Sequence, residues 1–203
     1  MKKTKFLILA MIVFAMSNTA ANAENFAKQT IQATLPDYVD IKAEEGTLQK
    51  NIDPATGNLT EGFNSIFTIN SNTALDLYLK AETITQNGAV PAFFKKGETV
   101  YLVLSHTTIK PASQAVDDIK SGSATPERNQ NAIAYPVSGI QLAGKYDSEP
   151  VFDDSKGQYQ FKVDQGTTTA TTTISPNVDS TTYSFDDRAG NYEAYIILTD
   201  TTT

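Results

Sequence analysis

The chain has no cysteine, no tryptophan and only one histidine among its 203 residues. Without cysteine, disulfide bonds, thiol catalysis and cysteine-ligated metal sites are excluded. The one histidine, His106, cannot build a histidine-rich metal site, and stacking on sugars would have to use tyrosine or phenylalanine. We therefore expect a fold held together by its apolar core, with no metal ion and no cofactor.

Positive charge is also scarce, with 16 lysines and arginines against 23 aspartates and glutamates. Three of those lysines lie within residues 1–5, so removal of the first segment would leave 13 basic residues and a net charge of −10. Nucleic acids and anionic membrane surfaces are bound through clustered lysine and arginine. The balance therefore argues against both kinds of partner.

The first 23 residues have the pattern of a bacterial secretory signal peptide. A lysine-rich start precedes the apolar run Phe6–Met16, and Ala21-Asn22-Ala23 is typical of a cleavage site. The apolar run is too short to cross a bilayer, and we expect no stable membrane insertion. The sequence thus predicts export through the inner membrane and a mature chain that begins at Glu24.

Residues 24–203 show repeated strand signals separated by turn signals, which is typical of an all-β domain. The strands expected are Tyr38–Ala43, Phe63–Ile69, Leu75–Glu82, Thr99–Leu104, a weak pair within Ile133–Leu142, Tyr159–Val163, Thr167–Ile174 and Tyr192–Thr199. We predict one antiparallel, immunoglobulin-like β-sandwich with at most one short helix, at Ser113–Lys120. A closed barrel is the alternative that the pattern leaves open.

Two details of this sheet can be predicted from local pattern. The Asn-rich turn at Asn70–Thr73 lies between two alternating strands and predicts a hairpin over Ile66–Ala81. The threonine run at 167–173 is interpreted as a β-branched edge strand, in preference to a glycosylated stalk or an ice-binding face. Both expectations concern which strands become neighbours.

The segment 24–35 is amphipathic in an extended conformation. Ala27, Ile31, Ala33 and Leu35 fall on one side, and mainly polar residues fall on the other. Pro36 then removes a backbone donor and ends the run. Such a strand can pair with its own domain or with a second copy, and the sequence leaves both open.

No catalytic constellation is evident, and we do not expect an enzyme. The lone His106 lacks the motifs of a nucleophilic site. The acidic pairs Asp117-Asp118, Asp153-Asp154 and Asp186-Asp187 are interpreted as solvated turn residues, with calcium binding and a glycosidase carboxylate pair as alternatives. Asp53 precedes proline and alanine, which favours a turn over a calcium loop.

Three stretches carry a family resemblance: Thr30–Gly46, the region Ile66–Ala81, and Gly190-Asn191-Tyr192 before an aliphatic strand. Together they resemble the colonisation-factor type major pilins of the alternate chaperone–usher class. The resemblance implies a sandwich that lacks its last strand. In that reading residues 24–35 act as a donor strand, and Ala27, Ile31, Ala33 and Leu35 fill pockets of the neighbouring subunit.

The same resemblance implies partners and a location. A periplasmic chaperone would cover the open sheet, an outer-membrane usher would pass the subunit outward, and the product would be a fimbria on the cell surface, with an adhesive role left open. The middle of the chain is longer and more polar than that family leads us to expect. The alternative is therefore a monomeric exported module that binds carbohydrate or another surface polymer through the polar region 107–131.

Overall fold

The computed structural model describes residue 29 and residues 32–85, 88–107, 132–183 and 187–200. The predicted signal peptide and the candidate helix at Ser113–Lys120 lie outside these ranges. The chain divides into two compact units, Met1–Asp37 and Tyr38–Thr203. In the first unit, Gln29 and residues 32–37 are described, and none of them is in a helix or a strand.

The second unit is built from β-strands, all paired antiparallel, and its described residues contain no helix. The strands are β1 Val39–Ala43, β2 Phe63–Ser71, β3 Leu75–Thr85, β4 Gly88–Pro91, β5 Phe93–Lys96, β6 Thr99–His106, β7 Ala132–Asp153, β8 Gln158–Ile174, β9 Tyr192–Glu193 and β10 Tyr195–Asp200. The all-β, antiparallel prediction is confirmed. Instead of a weak strand pair at Ile133–Leu142, there is one strand, β7, with an irregularity between Val137 and Ile140.

The long hairpin of β7 and β8 organises the sheet. The ladder order β1-β2-β8-β7-β6-β5 describes one half, while β3 pairs with the first part of β8 and β10 pairs with β3. Residues 88–96 connect the halves, because β4 pairs with β3 and β5 pairs with β6. Between them, the amide of Ala92 donates to Ala81 and its carbonyl accepts from Val103. The sheet therefore curls over one apolar core.

The core is filled by alternate side chains, as the sequence pattern predicts for β3. Leu75, Leu77, Leu79 and Ala81 are each at most 3% exposed. They belong to the same cluster as Phe93, Leu102 and Tyr135 from other strands. Burial of side chains of this size contributes roughly 1.5–3 kcal/mol each, which explains how the unit dispenses with disulfides.

The predicted hairpin at Ile66–Ala81 is wrong. Both β2 and β3 pair with β8, Phe63–Ser71 opposite Ile174–Gly166 and Leu75–Lys80 opposite Val163–Gln158, so the chain does not reverse between them. Residues 72–74 form an offset between two strands that continue in the same direction, and the hydroxyl of Ser71 is bonded to both backbone groups of Thr73. The turn-type composition therefore marks a gap between two ladders to the same strand, and not a reversal of the chain.

The prediction that the threonine run forms an edge strand is also wrong. The run lies within β8, which has β2 on one side and β7 on the other. Thr168 and Thr172 point inward and are buried, and the hydroxyl of Thr168 donates to the carbonyl of Lys145. Thr167 and Thr173 point outward, where their hydroxyls donate to Asn70 and Asn64 on β2. Hydrogen bonding by the hydroxyls allows threonine to occupy a central strand.

Candidate functional site

The strand β10 forms one open edge among the strands that the structure describes, and β1 and β5 form others at the ends of the ladder order. Among the strands that the structure describes, β10 pairs with β3 alone, with Tyr195–Asp200 opposite Glu82–Leu77. A strand with one neighbour presents the backbone N–H and C=O groups of its other side to any strand that approaches. This edge can therefore accept a further strand.

The side chains of β10 alternate along this edge. Leu198 lies opposite Leu79 and Ile196 lies opposite Ala81, so both share the inward face of β3. Leu198 is buried at 9% exposure, whereas Ile196 is only half-buried although it packs against the core. An inward-facing isoleucine that stays partly exposed is what one expects where no described strand lies beyond the edge strand to cover it.

The candidate donor-strand residues fall partly within the described chain. Ala33 and Leu35 are exposed, and Leu35 is 81% exposed, the highest value among the large apolar side chains that the structure describes. Ala27 and Ile31 lie outside the described residues. In the described part of this segment, residue 29 and residues 32–35 belong to no strand, and the side chains of Ala33 and Leu35 are open to solvent.

Asp153, from an acidic pair, caps a turn. Its Oδ1 accepts hydrogen bonds from the amide and hydroxyl of Ser155 at 3.0 and 2.6 Å, and its Oδ2 accepts from Gln160 at 3.2 Å. The hydroxyl bond from Ser155 is the main reason that the pKa of Asp153 is lowered. Asp117, Asp118 and Asp186 lie outside the described residues. Within the described ranges, no cluster of three or more histidine, aspartate or glutamate residues is arranged to hold a metal ion.

The predicted turn at Asp53 is confirmed, and its geometry matches that at Asp153. The Asp53 carboxylate accepts from Ala55 N and Thr56 Oγ1 at 2.8 and 3.0 Å, and Gly57 closes the turn by donating to the Asp53 carbonyl at 2.8 Å. Gly157 donates to the Asp153 carbonyl at the same distance. These carboxylates therefore serve turn formation, and calcium ligation is not needed to account for them.

His106 is buried, at 4% exposure. Its Nε2 is 3.2 Å from the carbonyl oxygen of Ala189, and its ring contacts Tyr192 edge to face at 5.2 Å. Sequence reasoning missed the role of His106, for which the Gly190-Asn191-Tyr192 motif was the available signal.

One depression in the described part of the chain is too small for most small-molecule ligands. The depression lined by Glu44, Glu45, Leu48, Asn64, Ser65 and Ile66 has a volume of about 40 Å³. Ligand pockets usually measure roughly 300–1,000 Å³, so this one holds no more than a water molecule or two. A strand edge is a better candidate for binding than any depression of this kind.

Comparisons with known proteins leave the site to be interpreted from its own geometry. No protein-family model, no curated protein and no solved structure matches this chain. A search for membrane-crossing helices, limited to the described residues, finds none of sufficient length and apolar character.

Proposed function

We propose that the chain is a structural subunit of a bacterial surface filament that assembles by donor-strand exchange. In this proposal, residues 24–35 of one copy add as a strand to the open edge of β10 in the next copy. The observation that carries the proposal is that edge, where inward-facing Ile196 is half-buried and β3 is the only described neighbour. An exposed apolar edge strand promotes aggregation of a monomer, and the same capacity for pairing allows subunits to join in a polymer.

The exposed end of the N-terminal segment supports the same function. Leu35 is 81% exposed, which leaves its apolar surface without the burial that a core position gives. Strand addition would bury it: main-chain hydrogen bonds supply affinity, and alternate side chains supply the register. Ala27, Ile31, Ala33 and Leu35 share one face in an extended conformation, so they are the residues proposed to lie against the neighbour's core.

The geometry of such a contact determines the form of the assembly. The donor segment and the acceptor edge lie in different parts of the chain, so each copy uses one surface to donate and another to accept. Contacts of this head-to-tail kind build open filaments when the rotation does not close. The proposal includes a periplasmic chaperone that protects the edge before assembly, an outer-membrane usher, and a final location at the cell surface.

The test compares two substitutions at adjacent positions in the chain of residues 24–203. Leu35→Asp places a charge on the proposed inward face, and Thr34→Asp places the same charge on the opposite face. Light scattering after size exclusion and negative-stain microscopy should show rods for the unchanged chain and for Thr34→Asp, and monomers for Leu35→Asp.

An excess of a synthetic peptide of residues 24–35 should also shorten the rods, because it would occupy the acceptor edge. If the unchanged chain stays a well-folded monomer under all conditions, the filament proposal is wrong. A carbohydrate-binding module would then be sought by glycan-array binding of the same monomer. Equal behaviour of the Leu35→Asp and Thr34→Asp variants would exclude the proposed facing of the donor strand.

A further inference from the structure

A short segment that precedes β10 is paired with a different strand, β6, before β10 itself pairs with β3. Residues 189–193 run alongside the end of β6, where His106 pairs with Tyr192 and Ser105 pairs with Glu193. The amide of Thr107 also donates to the carbonyl of Asn191 at 2.8 Å. The chain then passes to β3 and begins β10 at Tyr195.

A single side chain, His106, contacts most of that segment. The carbonyl of Ala189 can only accept a hydrogen bond, so the 3.2 Å contact requires that His106 Nε2 carries the proton and donates. The Tyr192 ring packs edge to face on the imidazole, with interplanar angle 73°. Gly190 lies so close that a Cβ atom there would be 2.2 Å from Nε2. We call these four residues, His106, Ala189, Gly190 and Tyr192, the His106 cluster.

A second attachment lies immediately after the cluster. The hydroxyl of Thr83 on β3 contacts Ser105 on β6 and also lies 3.2 Å from the carbonyl of Glu193. Residue 193 is therefore held at the point where the chain crosses from β6 to β3. These contacts precede β10 and act together with its own ladder to β3, which begins where Tyr195 pairs with Glu82.

We propose that His106 is a positioning residue for the acceptor edge: it holds residues 189–192 and so places β10 where a donor strand can add to it. This inference rests on the filament function proposed above. An edge strand is hydrogen-bonded to one neighbour, whereas a central strand is bonded to two. The position of an edge strand therefore depends more on how the residues before it are held. The imidazole suits this task because it combines a flat packing surface with a directed N–H donor.

The test changes the His106 cluster at the glycine and at the histidine, and it uses a glycine in another loop as the control. Gly190→Ala drives a methyl group into the imidazole, and His106→Ala removes the imidazole. Gly57→Ala is the control, because its Cβ would be 2.3 Å from the ring of Tyr183, an equally severe clash in a different loop. Amide hydrogen exchange is measured strand by strand on residues 24–203, at a concentration where the chain is monomeric.

The expected result is selective. In Gly190→Ala and His106→Ala, amides of 195–199 should exchange about tenfold faster while those of β2 and β8 change little, since the opening is local. Gly57→Ala should leave 195–199 no faster than the other strands. The two cluster variants should also form rods more slowly than Gly57→Ala.

Two outcomes would overturn the inference. Exchange that rises uniformly over all strands would show that His106 serves general stability only, and unchanged exchange of 195–199 would show that β10 does not depend on it. The exchange experiment does not require polymerisation. If the unchanged chain forms no rods, the filament function fails, while the exchange data still decide whether His106 positions β10.

Discussion

The hydroxyl of Tyr135 donates a 2.8 Å hydrogen bond to the carbonyl oxygen of Gly57, which lies 78 residues earlier in the chain. Tyr135 is 0% exposed. A second tyrosine, Tyr183, donates to the carbonyl of Pro54 in the same turn at 2.6 Å, in an exposed position. The Asp53 turn is thus fixed to the body of the sheet by a buried tyrosine and by a half-buried tyrosine whose hydrogen bond is exposed to solvent.

We predict that Tyr135→Phe lowers the free energy of unfolding by about 1–2 kcal/mol, because it leaves a buried carbonyl without its donor. Tyr183→Phe is the matched control and should cost less than about 1 kcal/mol, since water can replace an exposed hydroxyl. Urea denaturation of both variants measures the difference. Equal losses of unfolding free energy in the two variants would show that burial of the Gly57 carbonyl does not increase the contribution of the Tyr135 hydrogen bond to stability.

Gly144 on β7, which pairs with Thr168 on β8, gives a second prediction. Gly144 has φ +111° and a Cβ there would be 2.3 Å from the carbonyl oxygen of Thr167, whereas Gly88 has φ +110° with open space around it. Gly144→Ala combines backbone strain with a clash and should cost about 3 kcal/mol or more. Gly88→Ala carries only the strain and should cost about 1–2 kcal/mol.

Thermal and urea unfolding of the Gly144 and Gly88 variants isolate the contribution of the clash, since their φ angles are nearly identical. A similar loss of stability in both would mean that the β7–β8 ladder can shift to admit the methyl group.

Local pattern was sufficient for some elements and not for others. The alternating leucines of β3 predicted its buried face correctly, because a period of two is a property of the strand itself. The direction of the chain after Asn70 was not predictable, because a turn-type sequence is compatible with reversal and with an offset along the same neighbour. What decides between them is the length of β8, which extends past the break.

The candidate site also contains parts that the sequence predicts and parts that it does not. The amphipathic segment ending at Leu35 is visible in the sequence, because its apolar residues alternate. The acceptor edge and the His106 cluster are not, since they depend on contacts across about 80 residues, such as that between His106 and Ala189. The Gly190-Asn191-Tyr192 motif suggested a family, and the structure gives a physical reason for its glycine.

A third prediction concerns alkaline pH. Burial raises the pKa of Tyr159 from its ordinary value of 10.0 to about 12. Its ring packs edge to face against Phe93 and Phe152. The folded state therefore keeps the phenol neutral where the unfolded state ionises, so the stabilisation is complete below pH 10 and is lost as the pH rises through about 12.

The free energy of unfolding should fall more steeply above pH 10 in the unchanged chain than in Tyr159→Phe, by up to about 2 kcal/mol at the upper end. Urea unfolding at a series of alkaline pH values measures both slopes. Parallel curves would show that Tyr159 ionises as readily in the folded state as in the unfolded one.

The last prediction concerns acid pH and the aspartate that anchors the loop after β8. Asp179 accepts bonds from the amide and hydroxyl of Thr181 at 3.0 and 2.8 Å, and Lys96 lies 3.2 Å away. Burial by itself would raise the pKa of Asp179, but the hydrogen bonds from Thr181 and Lys96 outweigh it and hold the pKa below the ordinary value of 3.8.

Because the pKa of Asp179 is lowered by folding, its carboxylate stabilises the native state above pH 3.8, and that contribution is lost as the pH falls through the lower, folded-state pKa. Asp179→Ala should therefore cost about 2 kcal/mol at neutral pH, and the two unfolding curves should converge in acid. Lys96→Met is the control: the lysine side chain is 38% exposed, so the ion pair itself should contribute less than about 1 kcal/mol. A gap between Asp179→Ala and the unchanged chain that persisted at acid pH would assign the stabilisation to packing of the side chain, because protonation would then have removed nothing.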